Sequence, residues 1–313
     1  MEDKSKGPYR FVPWEAGHPP VDNQPKGMGN KTVAIVGYGA AGKNLHRLFP
    51  QAEIYDAPLG LGSKRAANRC DYAFVAVPTN QQPDGSCDTS IVEEVVDWLE
   101  SDVIVLRSTV AVGTTARLRA ASGKRIVFQP EFWGESADHA FSNSRRMGWV
   151  VLGGDRRDTN GVADLYKTTF NAELAIWQTD STTAELTKYM DTCFLAMKVT
   201  FCNEFYDLAQ LFGVDYNELR ELWLQDPRIG RSHTFVLPEE RGFDGKCLPK
   251  DTHALVASAT TGGYWPRLLA AMLEANAAYR AAGAARTVTP HLPSGNGHRP
   301  APTRGEAVVI AEA

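Results

Sequence analysis

The chain has 313 residues, long enough for two domains with their own cores, and its 43% apolar and 22% charged content is that of an ordinary globular protein. A formal charge of -4 gives no general attraction to nucleic acid or to an anionic membrane, and no run approaches the about 18 continuous apolar residues of a membrane span. Five cysteines (Cys70, Cys87, Cys193, Cys202 and Cys247) form no CxxC spacing, so reduced thiols in a cytoplasmic protein without a metal site are expected.

Residues 1–30 are polar and rich in Pro and Gly, with Tyr9, Phe11 and Trp14 among them, and read as an extended arm without the apolar core of a signal peptide. From residue 31 short apolar runs begin: 32–39 (TVAIVGYG), 52–56, 72–78, 102–109, 125–131 and 149–154, separated by helical patterns such as 88–100. Continuous Val/Ile runs alternating with helices predict strands buried on both faces of a parallel sheet. Beyond about residue 180 the period changes. One long helix is expected to end at Gly213, with Thr182 and Glu185 in capping-box spacing at its start. A second is expected from Thr252 through the run LLAAMLEANAAYRAAG. The fold class is therefore α/β: a doubly wound parallel-sheet Rossmann domain over 31–180, then a smaller all-helical domain over 181–282. Residues 283–313 read as a disordered tail.

Two stretches carry chemistry. Gly37, Gly39 and Gly42 have GxGxxG spacing after a strand and before a helix, and Asp56 ends the next strand about 20 residues on, which is the context a dinucleotide fingerprint requires. Gly37 makes the turn, Gly39 leaves room for a pyrophosphate at the helix N-terminus, and Gly42 lets helix and sheet approach. Asp56 would bind the adenosine ribose hydroxyls and repel a 2′-phosphate, so NAD is the expected cofactor, with Lys64 and Arg65 nearby as the features that would suit NADP. In the second stretch, 241–252 (RGFDGKCLPKDT), Cys247 stands between a glycine-bracketed loop and a Pro-Lys-Asp turn. A buried loop thiol and a nucleophile activated by the neighbouring lysine are both open readings of these residues.

The cysteine stretch resembles the GFGGxCxPKD loop of the UDP-glucose/GDP-mannose dehydrogenase family. Three further segments resemble the same family in order: 106–115 (LRSTVAVGTT) its KSTVPVGTT, 128–136 (FQPEFWGES) its NPEFLxEG, and 184–204 its SELxKLxxNxFLAxKIxxxNE helix. Residues 226–234 are similar to the family's approach to the sugar-binding loop, so the likeness runs over about 31–282.

The resemblance implies NAD-dependent oxidation of a primary alcohol on a small-molecule substrate (a nucleotide sugar, sugar or nucleoside) to a carboxylate, through a cysteine thiohemiacetal and thioester. It implies Cys247 as nucleophile, Lys188 as the oxyanion's partner, Asp251 working with Lys188 through water, and Glu131 and Thr109 as water-orienting or acid–base groups. Thr192 stands where the family has a helix asparagine. Around the cofactor it implies Tyr38, Ala40, Ala41, Val77, Pro78, Thr79, Ser108, Thr109, Glu135 and Lys250 besides the three glycines and Asp56. Around the substrate it implies Glu131, Phe132, Trp133, Lys188, Asn203, Arg231, Arg241, Gly242, Phe243 and Gly245 besides Cys247. A homodimer paired through the long helices is expected, with no nucleic-acid or membrane partner. Asp244 breaks the loop's second glycine pair and is expected to bring a carboxylate near the sugar. The family's third, nucleotide-gripping domain is expected to be missing, which makes UDP-glucose a poor expected substrate. A degenerate NAD-binding member without turnover and a two-electron alcohol dehydrogenase are the alternatives.

Overall fold

The structure is a computed structural model that describes residues 27–132, 148–170 and 174–288, with side chains described to residue 283; most of the 1–30 arm, the tail beyond 288, Trp133 and Glu135 lie outside the described residues. One seven-stranded sheet runs in the order β2-β1-β3-β4-β5-β6-β7. Its strands are β1 (Val33–Val36), β2 (Glu53–Tyr55), β3 (Tyr72–Val75), β4 (Val103–Leu106), β5 (Ile126–Phe128), β6 (Trp149–Gly153) and β7 (Ala175–Thr179). The helices α1 (Ala40–Leu48), α2 (Lys64–Ala67), α3 (Ser90–Trp98), α4 (Thr114–Ser122) and α5 (Arg156–Thr169) flank it.

The apolar runs are continuous because both faces are covered. Val33 and Ile35 enter one core with Phe49, Phe74, Val105 and Tyr166, whereas Ala34 and Val36 enter the other with Val75, Val96, Ile104 and Leu106. All strands from β1 to β5 pair in parallel, but β6 meets β5 antiparallel at Phe128↔Gly153 and then pairs in parallel with β7. This reversal departs from the all-parallel expectation. Burial alternation carries no strand direction; the path of the connecting chain sets it. The edge strand β7 has no signal of its own in the sequence, since edge position leaves Trp177 two-thirds exposed. Met28, within the expected arm, is buried against the first core.

The helical part consists of α6 (Ser181–Phe212), α7 (Tyr216–Trp223), α8 (Leu248–Thr261) and α9 (Arg267–Val288). Gly213 closes α6 in the left-handed conformation that favours glycine. The second long helix is instead two: Gly263 leaves α8 at φ +84° and Pro266 precedes α9, so the pattern breaks where one residue needs positive φ and another lacks an N–H. α9 continues to Val288, beyond the expected start of the tail. Among the described residues no helix is long and apolar enough to cross a membrane.

The Thr182–Glu185 capping box is also corrected. Asp180 is the N-cap and accepts from the Thr183 N–H at 2.9 Å. Glu185 is fully buried and crosses to α4, accepting from the N–H of Gly113 at 2.5 Å and of Thr115 at 2.9 Å. Those amides at the start of α4 have no partner within their own helix, so a carboxylate from α6 serves as their cap. Burial pushes the Glu185 carboxyl above its ordinary range, and the two N–H bonds oppose that shift. Glu185→Ala is therefore expected to destabilise the chain by about 1–3 kcal/mol for each amide left bare, read as a lower denaturation midpoint in urea.

Candidate active site

A cleft of about 1400 Å³ opens at the C-terminal ends of β1, β3 and β4, where the strand order reverses around β1. The glycine turn forms one wall. A Cβ on Gly37, at φ +94°, would lie 2.4 Å from the Ala76 carbonyl oxygen, and one on Gly42 would lie 2.0 Å from the Gly37 oxygen. A Cβ on Gly39 would meet nothing within 4 Å, so the space above the N-terminus of α1 is open to a ligand. A side chain there would fill the cradle that a pyrophosphate needs. Asp56 lines the same wall and accepts from the N–H of Tyr38 at 2.7 Å and of Leu59 at 3.0 Å, which fixes its carboxylate at the edge of the cleft. The Tyr38 hydroxyl meets His46 Nδ1 at 2.7 Å. Ala40, Ala41, Val77, Pro78, Thr79, Ser108 and Thr109 complete this side, and Ser108 Oγ donates to the Val77 carbonyl at 2.7 Å, tying the ends of β3 and β4. These groups fit a dinucleotide.

The opposite wall carries Glu131, Lys188, Gly245, Cys247 and Lys250. Lys188 comes from α6 and is nearly buried, with Nζ 5.7 Å from the centre of the Phe132 ring. Cys247 occupies the N-cap position of α8 and is exposed, while Cys70, Cys87, Cys193 and Cys202 are buried. Burial pushes the Cys193 thiol up to about 11 and raises Cys70, Cys87 and Cys202 as well. The exposure of Cys247 at the start of α8, on the cleft wall, lets a substrate reach it.

The loop that presents Cys247 has a half anchored to the helices and a half that lines the cleft. Arg241 is buried: its Nε donates to Asn203 Oδ1 at 2.6 Å, its Nη2 to Asp207 at 2.9 Å, and its guanidinium lies over the Tyr206 ring at 4.6 Å. Gly242 N–H donates to Asn203 and Phe243 N–H to Asn276, so Phe243 is a core residue between α6 and α9. Beyond it, Gly245 at φ +88° turns the chain into the cleft.

Several residues expected at the substrate lie outside the lining of this cleft. Asn203, Arg241, Gly242 and Phe243 hold the loop from behind and are not on the cleft wall, because a buried guanidinium and amide need each other as partners. Arg231 is paired with Glu221 at 2.8 Å, away from the cleft. Asp244 turns to Arg280 on α9 instead of towards the cleft. Thr192 is buried and donates to the Lys188 carbonyl at 3.1 Å, so its hydroxyl closes on its own helix. Asp251 is buried behind Lys250, 2.7 Å from that ammonium, and stands off the wall.

One cleft residue escaped the motif reading. Arg107 follows β4 and is buried, donating from Nη2 to Glu131 at 2.7 Å and from Nη1 to the Pro130 carbonyl at 3.2 Å. Its signal was a departure: arginine stands where the similar family segment has lysine.

Comparisons with known proteins match the two parts of the chain to one family. Residues 59–170 match the NAD binding domain and residues 182–278 the central domain of the UDP-glucose/GDP-mannose dehydrogenase family. The chain is similar to the UDP-glucose 6-dehydrogenase AglM of Haloferax volcanii, 33% identical over 230 residues, covering 66% of this chain and 52% of that protein. It is also similar to the UDP-glucose 6-dehydrogenase of Rhizobium meliloti, 33% identical over 212 residues, with 63% and 47% covered. The chain thus spans about half the length of these curated relatives. A UDP-glucose dehydrogenase structure from Pyrobaculum islandicum superposes with a TM-score of 0.69 at 27% identity, over 81% of this chain and 69% of that one. A carboxylate at Asp56 discriminates against a 2′-phosphate, so Asp56→Ala is expected to weaken NAD binding roughly tenfold, one lost charge-assisted contact. The same change should narrow the preference over NADP in a fluorescence titration.

Proposed function

We propose that this chain, which belongs to the UDP-glucose/GDP-mannose dehydrogenase family, oxidises a primary alcohol of a sugar or nucleotide derivative to a carboxylate with NAD. The observation that carries the reading is the position of Cys247, the exposed thiol among five, on the same cleft as the open glycine turn, Lys188 and Glu131. Gly37, Gly39, Gly42 and Asp56 would hold NAD, which supplies the hydride acceptor when bound.

The chain's own groups account for the remaining chemistry. Adding the Cys247 thiolate to an aldehyde carbon places a negative charge on oxygen, and the nearly buried Lys188 ammonium stabilises that charge in a site with little competing water. The alcohol carbon, in giving the aldehyde, and then the thiohemiacetal carbon would each lose a hydride to a bound NAD, and the second loss leaves a thioester on Cys247. Water then attacks the acyl carbon, Glu131 takes the water's proton, the C–S bond breaks, and the acid leaves with the thiolate restored. Asp251, behind Lys250, serves by fixing the charge pattern under the loop.

A second reading, cofactor binding without turnover, is favoured by Thr192, whose hydroxyl is turned away from the cleft onto the Lys188 carbonyl. Assaying nucleotide sugars, sugar phosphates and nucleosides separates the readings: two NADH per molecule consumed fits the alcohol-to-acid route, one fits a simple alcohol dehydrogenase, and none across the panel rejects turnover. Cys247→Ala is expected to abolish acid formation while NAD still binds, and full acid formation by this variant removes the nucleophile from the mechanism.

The proposal extends to a homodimer through α6. Met190, Phe194, Leu211 and Phe212 are each at least 60% exposed along that helix, with Phe201 and Phe205 partly so, more apolar surface than one helix face normally leaves in water. Light scattering at micromolar concentration is expected to give twice the chain mass.

A further inference from the structure

We infer that Arg107 is a positioning residue for the hydrolytic half of the reaction, acting through Glu131; this rests on the proposed function, with Cys247 as the acylated nucleophile. Arg107 follows β4 and Glu131 follows β5, and these neighbouring parallel strands are in register at Leu106↔Phe128. Both side chains therefore emerge at the floor of the cleft from one rigid edge of the sheet. The guanidinium side chain is only 2% exposed, and its two terminal nitrogens reach consecutive residues, Nη1 the Pro130 carbonyl and Nη2 the Glu131 carboxylate.

That fork fixes both the backbone before Glu131 and the direction of its carboxylate. A guanidinium is charged at every working pH and planar, so it holds two acceptors at a set angle, which a single ammonium cannot do. Glu131 keeps 16% of its side chain accessible and lines the same cleft as Cys247. A carboxylate whose direction is already fixed can accept a proton from water without having to be reoriented. Arg107 touches no reacting atom in this scheme. It keeps Glu131 aimed.

The test bypasses the unidentified substrate by using p-nitrophenyl acetate as the probe. Cys247 attacks the ester carbon, an S–C bond forms, the C–O bond breaks and p-nitrophenolate leaves in a burst. Water then cleaves the acetyl thioester, which sets the steady-state rate and can be followed by loss of the acetyl adduct in intact-mass spectra. Arg107→Met is expected to slow deacylation relative to the burst by about tenfold or more, and Arg107→Lys to restore part of it. Glu131→Gln should slow it further, and the double variant should be no slower than Glu131→Gln alone, since Arg107 works through that carboxylate.

Wild-type deacylation in Arg107→Met overturns the inference. So does a double variant slower than Glu131→Gln by the full Arg107→Met factor, which would mean that Arg107 acts independently. If Arg107→Met does not fold, Arg107→Lys decides by the same comparison, with and without Glu131→Gln. A wild-type chain with no burst lost in Cys247→Ala is a different failure: it removes the nucleophile reading, and the inference with it.

Discussion

The carboxylate of Glu185 is the contact on which the geometry of the cleft depends. It is fully buried and receives two backbone N–H groups from the first turn of α4, so it joins the helical part to the strand-end loops of the sheet by bonds that water cannot replace. Four residues further along α6, the Tyr189 hydroxyl donates to the Val110 carbonyl at 2.9 Å, a second tie to the same loop. Between these two anchors lies Lys188. Its place at the cleft wall follows from the fixed rotation of α6 about its axis, since residues one turn apart share a face.

The two sides of the cleft are built on different principles. On the cofactor side the backbone decides: Gly37 and Gly42 bring chain segments closer than any Cβ allows, and the Gly39 side is left open. On the other side buried polar pairs decide. Arg241 with Asn203 and Asn276 with Phe243 clamp the start of the loop to α6 and α9, so Gly245 to Cys247 can face the cleft while attached to a rigid base. Reactive residues carried by short segments on well-packed supports are what a site needs to hold reacting atoms within a fraction of an ångström. The four buried thiols contrast with Cys247: burial raises them above their ordinary range, whereas Cys247 is exposed on the cleft wall.

The departures from the family pattern take on physical meaning in this frame. Asp244, which breaks a glycine pair in the loop, is matched by Arg280 on α9, so its charge is compensated outside the cleft. Thr192 answers the missing amide of the helix asparagine only with a bond to its own backbone, which leaves Lys188 as the α6 group on the cleft wall. Arg107 pairs with Glu131 on neighbouring strand ends.

The sequence by itself determined the elements whose signals are local. Apolar runs marked β1 to β6, the GxGxxG spacing and Asp56 marked the dinucleotide turn, and Gly213 marked the end of α6, because each depends on residues within a few positions of one another. Only the tertiary structure decided the reversed direction of β6, the edge strand β7 and the true partner of Glu185, whereas the break between α8 and α9 has a local cause in Gly263 and Pro266. It also sorted the motif residues into those on the wall, such as Glu131, Lys188 and Cys247, and those behind it, such as Arg241, Asn203 and Phe243. The reason is the same in each case. Spacing along a chain tells which residues share a helix face or a strand end, but a buried charge or amide takes its position from whichever distant partner compensates its lost hydration, and that partner exists only once the chain has folded.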